Sequence, residues 1–315
     1  MMMQRPSLEG RPLRIGVCGN GHWAGTVHVP TLAAMPAVDL VGVWGRTQER
    51  SRALADQFAI QSFADFDALL DEVDAVSFAV PPEIQAALAL QAANAGKHLL
   101  IEKPVATTLA EADRLVEVVE RRQLSAVVFL TRFFVDGAND LIARARAGGH
   151  RRGEASWSSR ALLPGSPFAA SVWRNGDYGT LWDLGPHVLS IFIPVFGPAM
   201  QVEARRLRKA KFACRVLHAG GAESIVTLDQ MDESLTRGSV EQYVFSGGDG
   251  VVRGGPFTYE AASCLASAVR LLIDGIGSTD APVGPNIRFG RDIVAVLEAA
   301  CSSIECGCTP VDVRL

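Results

Sequence analysis

The sequence predicts an α/β protein in two parts, a doubly wound parallel sheet followed by an α+β part with an open, mainly antiparallel sheet. Three observations carry that expectation. Short apolar runs alternate with helical stretches over the first 123 residues, the pattern of parallel strands covered on both faces. The first of those runs ends directly in glycines. Later strands are punctuated by turns at Gly220-Gly221 and Gly247-Gly248, as in antiparallel hairpins. We therefore expect one domain over 12–123 and a second over 124–315.

Taken in order, residues 14–18 form a buried strand and 23–35 a helix closed by Pro36. Strands are expected at 39–44, 75–80, 98–101 and 126–130, the third-strand loop opening at Pro81-Pro82. Helices are expected at 48–58, 83–95 and 109–122, with a short turn at 67–70 and Gly96 as a C-terminal cap. Strand crossovers are right-handed, which makes the sheet doubly wound and puts ligands at the carboxyl ends of its strands. In the second part a helix spans 139–147, and strands 153–160, 201–207, 213–217, 224–229, 240–245 and 250–253. Helices at 264–274 and 290–304 precede a closing strand at 311–314.

Composition narrows the function. With 315 residues, 48% hydrophobic and 20% charged, the chain can bury a core and is not disordered. Thirty basic against 34 acidic side chains leave a net charge of -4, so no overall basic field favours nucleic acid. No apolar run approaches a membrane span, and the start lacks the apolar core of a signal peptide. A cytoplasmic protein without membrane or nucleic-acid partners is expected. The six cysteines, Cys306-Gly-Cys308 and Cys301 included, have neither disulfide-framework nor zinc-ligand spacing. They are expected as reduced thiols, and no metal is assigned.

The first strand–helix turn carries the chemistry. Gly19-Asn20-Gly21-His22-Trp23-Ala24 is G-x-G-x-x-A, the loop whose glycines turn tightly and let a pyrophosphate approach the backbone. The following helix start offers free N–H groups to the phosphates. A glycine turn serving only packing is the alternative. An acid at the second strand's end would mark NAD(H), but the chain reads Gly45-Arg46-Thr47. Arg46 can pair with a 2′-phosphate and Thr47 can add a hydroxyl, so NADP(H) is preferred and NAD(H) is the second choice. Arg46 as a solvated loop residue is the alternative. With room beside Gly45, Gly45→Asp is expected to shift preference toward NAD(H). Pro81, Glu102 and Lys103, at the ends of later strands, join the cofactor-binding candidates.

Glu102-Lys103-Pro104 ends a buried strand, where a lysine can polarise a carbonyl or tune a neighbouring acid–base group. Asp183 and His187 lie four residues apart, on one helix face. Because proline is tolerated in a first turn, Pro186 suggests a helix starting near Asp183, with both side chains at its N-terminal end. An N-cap Asp183 with a surface His187 is the alternative. His28 and His98 read as structural. Trp173-Arg174 and Arg132-Phe133-Phe134 line a substrate pocket or simply pack, and the basic run 203–209 reads as a solvated strand face.

Together the loop at 19–24, His28-Val-Pro30, Glu102-Lys103-Pro104 and Gly179-Thr-Leu-Trp-Asp183-Leu-Gly-Pro-His187 resemble the Gfo/Idh/MocA oxidoreductases over nearly the whole chain. The resemblance implies a Rossmann dinucleotide-binding domain and a second domain whose Asp183 and His187 face nicotinamide and substrate beside Lys103. It implies hydride transfer to or from a hydroxyl or ketone carbon of a sugar, polyol or diol, with these three residues catalytic: His187 is expected as the acid–base group, Lys103 to polarise the oxygen or tune His187, and Asp183 to orient substrate or histidine. It also implies a homodimer or homotetramer through the open sheet's outer face. Two positions depart from the family pattern: Gln85 stands where many relatives have histidine, and Tyr178 replaces a glycine. A non-enzymatic dinucleotide-binding regulator and a redox-assisted glycosidase are the alternatives within the same resemblance.

Overall fold

A computed structural model describes residues 10–278 and 284–315; the chain start, where no signal peptide is expected, lies outside them. The chain divides into two compact units. The first takes the chain up to Ala106, then Ala110–Phe129 and Tyr259–Gly290; the second takes Thr107–Leu109, Leu130–Thr258 and Arg291–Leu315.

In the first unit, β1 (Leu13–Cys18), β2 (Val38–Trp44), β3 (Gln61–Ser62), β4 (Ala75–Phe78), β5 (His98–Glu102) and β6 (Ala126–Phe129) form one sheet. Its order is β3-β2-β1-β4-β5-β6, and every pairing is parallel. This is the doubly wound order that reverses beside β1, where dinucleotide sites form. All residues of β4 and β6 are buried, which is why these strands read as unbroken apolar runs. The helices are α1 (Val29–Ala33), α2 (Gln48–Phe58), α3 (Phe66–Glu72), α4 (Pro82–Asn94) and α5 (Leu109–Arg121). On α5, Leu109, Ala112, Leu115, Val116 and Val119 are buried, the helical spacing of a core-facing stripe. β3 was not foreseen, since two residues carry no periodicity.

The expected helix over 23–35 is helical over 22–33, but its middle, Ala24–His28, is a π-turn. Val29 N–H reaches back five residues to the Ala24 carbonyl, and Pro30, which has no N–H to give, follows at once. The insertion begins at the last residue of the glycine loop and buries His28 completely.

The units fall elsewhere than at 12–123 and 124–315. Strand β6 pairs with β5, Leu100 opposite Val127, so the parallel sheet continues to Phe129. A later segment also belongs to the first unit. Its helix Ala261–Gly275 buries Leu265, Ala268, Val269 and Leu272, and the Leu272 carbonyl accepts from Ser125 Oγ at 2.8 Å. Sequence order hides this return, because the partners are 147 residues apart.

His98 is structural, as expected. Its Nδ1 accepts the Ser125 N–H at 2.9 Å, and burial pushes its pKa down to about 4, opposed by Asp74. A histidine held neutral stabilises the fold above its unfolded pKa of 6.5 and loses that contribution as pH falls toward 4. Unfolding in urea should therefore show a loss approaching about 3 kcal/mol over that range. In His98→Asn, whose side-chain oxygen can still accept the Ser125 N–H, the acid slope should flatten; an unchanged slope would refute the assignment.

The second unit begins with a 3-10 turn at Thr131–Phe134, then α6 (Asp136–Ala147), β7 (Arg152–Ser159), α7 (Val172–Asn175) and α8 (Gly179–Phe196). Strands β8 (Ala199–Arg208), β9 (Lys211–His218), β10 (Glu223–Asp229), β11 (Ser239–Gly248), β12 (Gly250–Gly254) and β13 (Val311–Asp312) join β7 in one sheet. Its order is β12-β11-β7-β10-β9-β8-β13, and only β7 and β10 run parallel. Burial alternates along β7 and β9, so one face is packed and the other meets solvent. On the packed side, Phe192 and Phe196 of α8 stack 5.8 Å apart and meet Tyr243 and Phe245 of β11. Each such ring buries enough surface to contribute about 1.5–3 kcal/mol. No helix among the described residues is long and apolar enough to cross a membrane.

Candidate functional site

The glycine loop joins the end of β1 to the first helix of the sheet. Gly19 has φ of +136°, and a Cβ there would lie 2.3 Å from the Ala79 carbonyl oxygen, so only glycine fits where the turn crosses β4. At Gly21, by contrast, a Cβ would meet nothing within 4 Å. The backbone there fronts open space at a helix start, which fits a pyrophosphate. Ala24 is fully buried, keeping helix and sheet close, whereas His22 is exposed.

Arg46 and Thr47 follow β2 and are both exposed, with Thr47 as the N-cap of α2. The room expected beside Gly45 is filled. Asn20 Nδ2 donates to the Thr47 carbonyl at 2.8 Å and to Ser51 Oγ at 2.9 Å, and a Cβ on Gly45 would lie 2.4 Å from the Asn20 carboxamide. Gly45→Asp would thus break the Asn20 brace as well as add charge, and no longer isolates cofactor choice. Pro81 caps the start of α4.

Glu102 proves to be a hub. Its Oε1 accepts from Trp23 Nε1 at 2.6 Å and lies 3.2 Å from His28 Nε2, while Oε2 accepts the Lys103 N–H at 3.2 Å. His28 Nδ1 in turn meets Ser77 Oγ at 2.8 Å. The carboxylate therefore ties the glycine loop, the π-turn and β4 to the strand end that presents Lys103. Gln85, the departure from the family pattern, is buried and donates through Nε2 to the Glu102 and Pro104 carbonyls at 2.6 and 2.8 Å. It clamps the backbone on both sides of Lys103.

In the second unit, Asp183 and His187 lie on α8, both buried. The helix does not begin at Asp183. It starts at Gly179 and carries Pro186 and Pro194 in its interior, so the argument from an N-terminal dipole fails for both residues. An internal proline costs a free helix about 3 kcal/mol, which burial of Leu181, Leu184, Val188, Leu189, Ile191 and Phe192 offsets here. Asp183 Oδ2 accepts from Arg174 Nε at 2.8 Å and from Gln230 Nε2 at 2.6 Å. The Arg174 guanidinium lies 4.4 and 4.2 Å from the centres of the Phe168 and Trp173 rings, so Trp173-Arg174 serves Asp183 directly. Asp183 is consequently a braced acceptor.

His187 Nδ1 is 3.3 Å from Thr131 Oγ1, and its ring packs against Trp157 at 5.4 Å. Arg132, left open by the sequence, is buried. It pairs bidentately with Glu241 at 2.8 and 3.0 Å, lies over the Trp157 ring and donates through NH1 to Thr131 Oγ1 at 3.3 Å. Tyr243 OH donates to the same Glu241 carboxylate at 3.1 Å. Thr131, Trp157, Gln230 and Glu241 were missed. The only trace of Gln230 is a polar Asp229-Gln230 pair closing an apolar strand.

The glycine loop, the parallel order of the sheet and the Glu102-Lys103-Pro104 end are all confined to a segment that matches a known pattern. The sequence model of an oxidoreductase family with NAD-binding Rossmann fold, Gfo/Idh/MocA, matches residues 13–130. Over those residues the chain is similar to that family. Among relatives in sequence, the dTDP-3,4-didehydro-2,6-dideoxy-alpha-D-glucose 3-reductase of Streptomyces violaceoruber is 30% identical over 203 residues, 63% of this chain and 58% of that protein. The UDP-N-acetylglucosamine 3-dehydrogenase of Acidithiobacillus ferrooxidans is 34% identical over 186 residues, 59% of this chain and 55% of that one. The chain thus spans a little over half the length of these relatives. In fold, it is similar over the full length of both chains to GenD2 from gentamicin A biosynthesis, solved with NAD, at a TM-score of 0.83 and 20% identity.

Proposed function

We propose that this protein is an NAD(P)-dependent oxidoreductase that moves a hydride between nicotinamide and a hydroxyl or ketone carbon of a sugar or related polyol. The observation that carries this is the glycine loop, with its forced turn at Gly19 and open backbone at Gly21, seated at the end of β1. The sugar class is supported by the activities of the two relatives, which are redox steps at a sugar carbon. Lys103, Asp183 and His187 are the proposed catalytic groups. Gly19, Asn20, Gly21, His22, Trp23, Ala24, Arg46, Thr47 and Pro81 would hold or shape the cofactor site, with Glu102 bracing it. The bound nicotinamide supplies the hydride chemistry. The test is a screen of sugars, nucleotide sugars, inositols and diols with each cofactor, following nicotinamide absorbance. Turnover of none, with cofactor bound, overturns the proposal.

NADP(H) is the proposed preference, supported by the absence of an acid after β2 and by an exposed Arg46. Arg46→Ala should weaken NADPH binding about tenfold or more, the worth of one charge-assisted hydrogen bond, and leave NADH nearly unchanged. Tighter binding of NADH by the unaltered protein would sink the preference. Six cysteines with no disulfide among the described residues fit a reducing compartment such as the cytoplasm. A homodimer or homotetramer, joined through the solvent face of the seven-stranded sheet where Leu217 is exposed, is testable by sedimentation.

A further inference from the structure

We propose that His187 works as a neutral Nε2–H donor, its proton fixed on that nitrogen by Thr131, and is not the group that exchanges a proton with substrate. This rests on the proposed function but is carried by a separate count of hydrogen bonds. Thr131 is buried. Among the described residues its Oγ1 has two hydrogen-bond partners, Arg132 NH1 and His187 Nδ1. A guanidinium only donates. The Thr131 O–H therefore has one acceptor, His187 Nδ1, and a buried hydroxyl proton without an acceptor is strongly disfavoured. With Nδ1 accepting, the proton of the neutral ring sits on Nε2.

The surroundings hold that arrangement. Arg132 cannot turn away, because Glu241 grips it at two points and Trp157 lies under it. Its charge polarises the Thr131 hydroxyl toward donation. Trp157 also packs on the His187 ring with planes 36° apart, which limits ring rotation. An imidazolium would need Nδ1–H to donate to Thr131, and the hydroxyl proton would then lose its acceptor. His187 is thus suited to stabilise negative charge on a substrate oxygen, as an oxyanion-hole donor does. In the reducing direction a bound reduced nicotinamide would supply the hydride to the carbonyl carbon and be left oxidised, while His187 Nε2–H would donate to the carbonyl oxygen. The oxygen would gain its proton from a group other than His187, resupplied from solvent.

Two measurements test this on the full chain. Nitrogen NMR of imidazole-labelled protein should show His187 protonated at Nε2 and bare at Nδ1, in the unaltered protein and in Thr131→Ser. Thr131→Val should lose that tautomer preference. A ring protonated at Nδ1 in the unaltered protein overturns the proposal, whether or not any substrate has been found. With a substrate from the screen, His187→Gln, which can donate but not exchange a proton, should stay within about tenfold of normal kcat. His187→Ala should fall by about 100-fold or more. Equal loss in both, with folding intact, restores His187 as the proton carrier.

Discussion

Lys103→Ala is expected to lower kcat by about 100- to 10,000-fold, the usual worth of a positioned acid–base group, with cofactor Kd changed little. Lys103 sits directly after β5, half-buried, so its loss opens no core cavity. Its backbone stays held, because Gln85 bonds the carbonyls on either side and Glu102 accepts its N–H. The melting temperature should accordingly move little, and that control separates lost chemistry from lost structure. Lys103→Arg should not rescue turnover, because a guanidinium does not give up its proton near neutral pH. Near-normal turnover in Lys103→Ala would remove this residue from the chemistry.

The largest stability effect should come from Arg132→Ala. The variant leaves Glu241 buried beside Trp157 without its counter-charge, and breaking such a pair from one side costs about 3–5 kcal/mol. Among the described residues, Tyr243 OH remains on the carboxylate. For a unit of this size the loss corresponds to a melting shift on the order of 10 °C. The double variant Arg132→Met/Glu241→Leu should recover much of that stability, since neither charge is then stranded. Failure of the double variant to recover would mean that the pair itself, and not the uncompensated carboxylate, carries the effect.

Those two residues differ in how far the sequence revealed them. Lys103 was legible because its signal is local: an apolar strand, then Glu-Lys-Pro, then a helix. The same holds for the loop at 19–24 and for Gly45-Arg46-Thr47. Arg132 was left between pocket and packing, because its partner Glu241 is 109 residues away and lies on a strand with no distinguishing pattern. The start of α8 was misplaced for a related reason. A proline in a polar, isolated helix marks a first turn, but burial lets α8 keep Pro186 in its interior. The first unit likewise reaches beyond residue 123, because β6 and a helix more than a hundred residues later share its core.

By itself, the sequence determined the alternation that makes a doubly wound sheet, the place of its glycine loop, and the candidates Lys103, Asp183 and His187. These depend on periodicity and on backbone needs met within a few residues, which a linear pattern records. Only the tertiary structure decided what each group can do. It brought Arg174 and Gln230 to Asp183, Thr131 and Trp157 to His187, and Trp23 and His28 to Glu102. A side chain's charge, tautomer and freedom to move are set by neighbours within a few ångströms, and those neighbours come from anywhere in the chain.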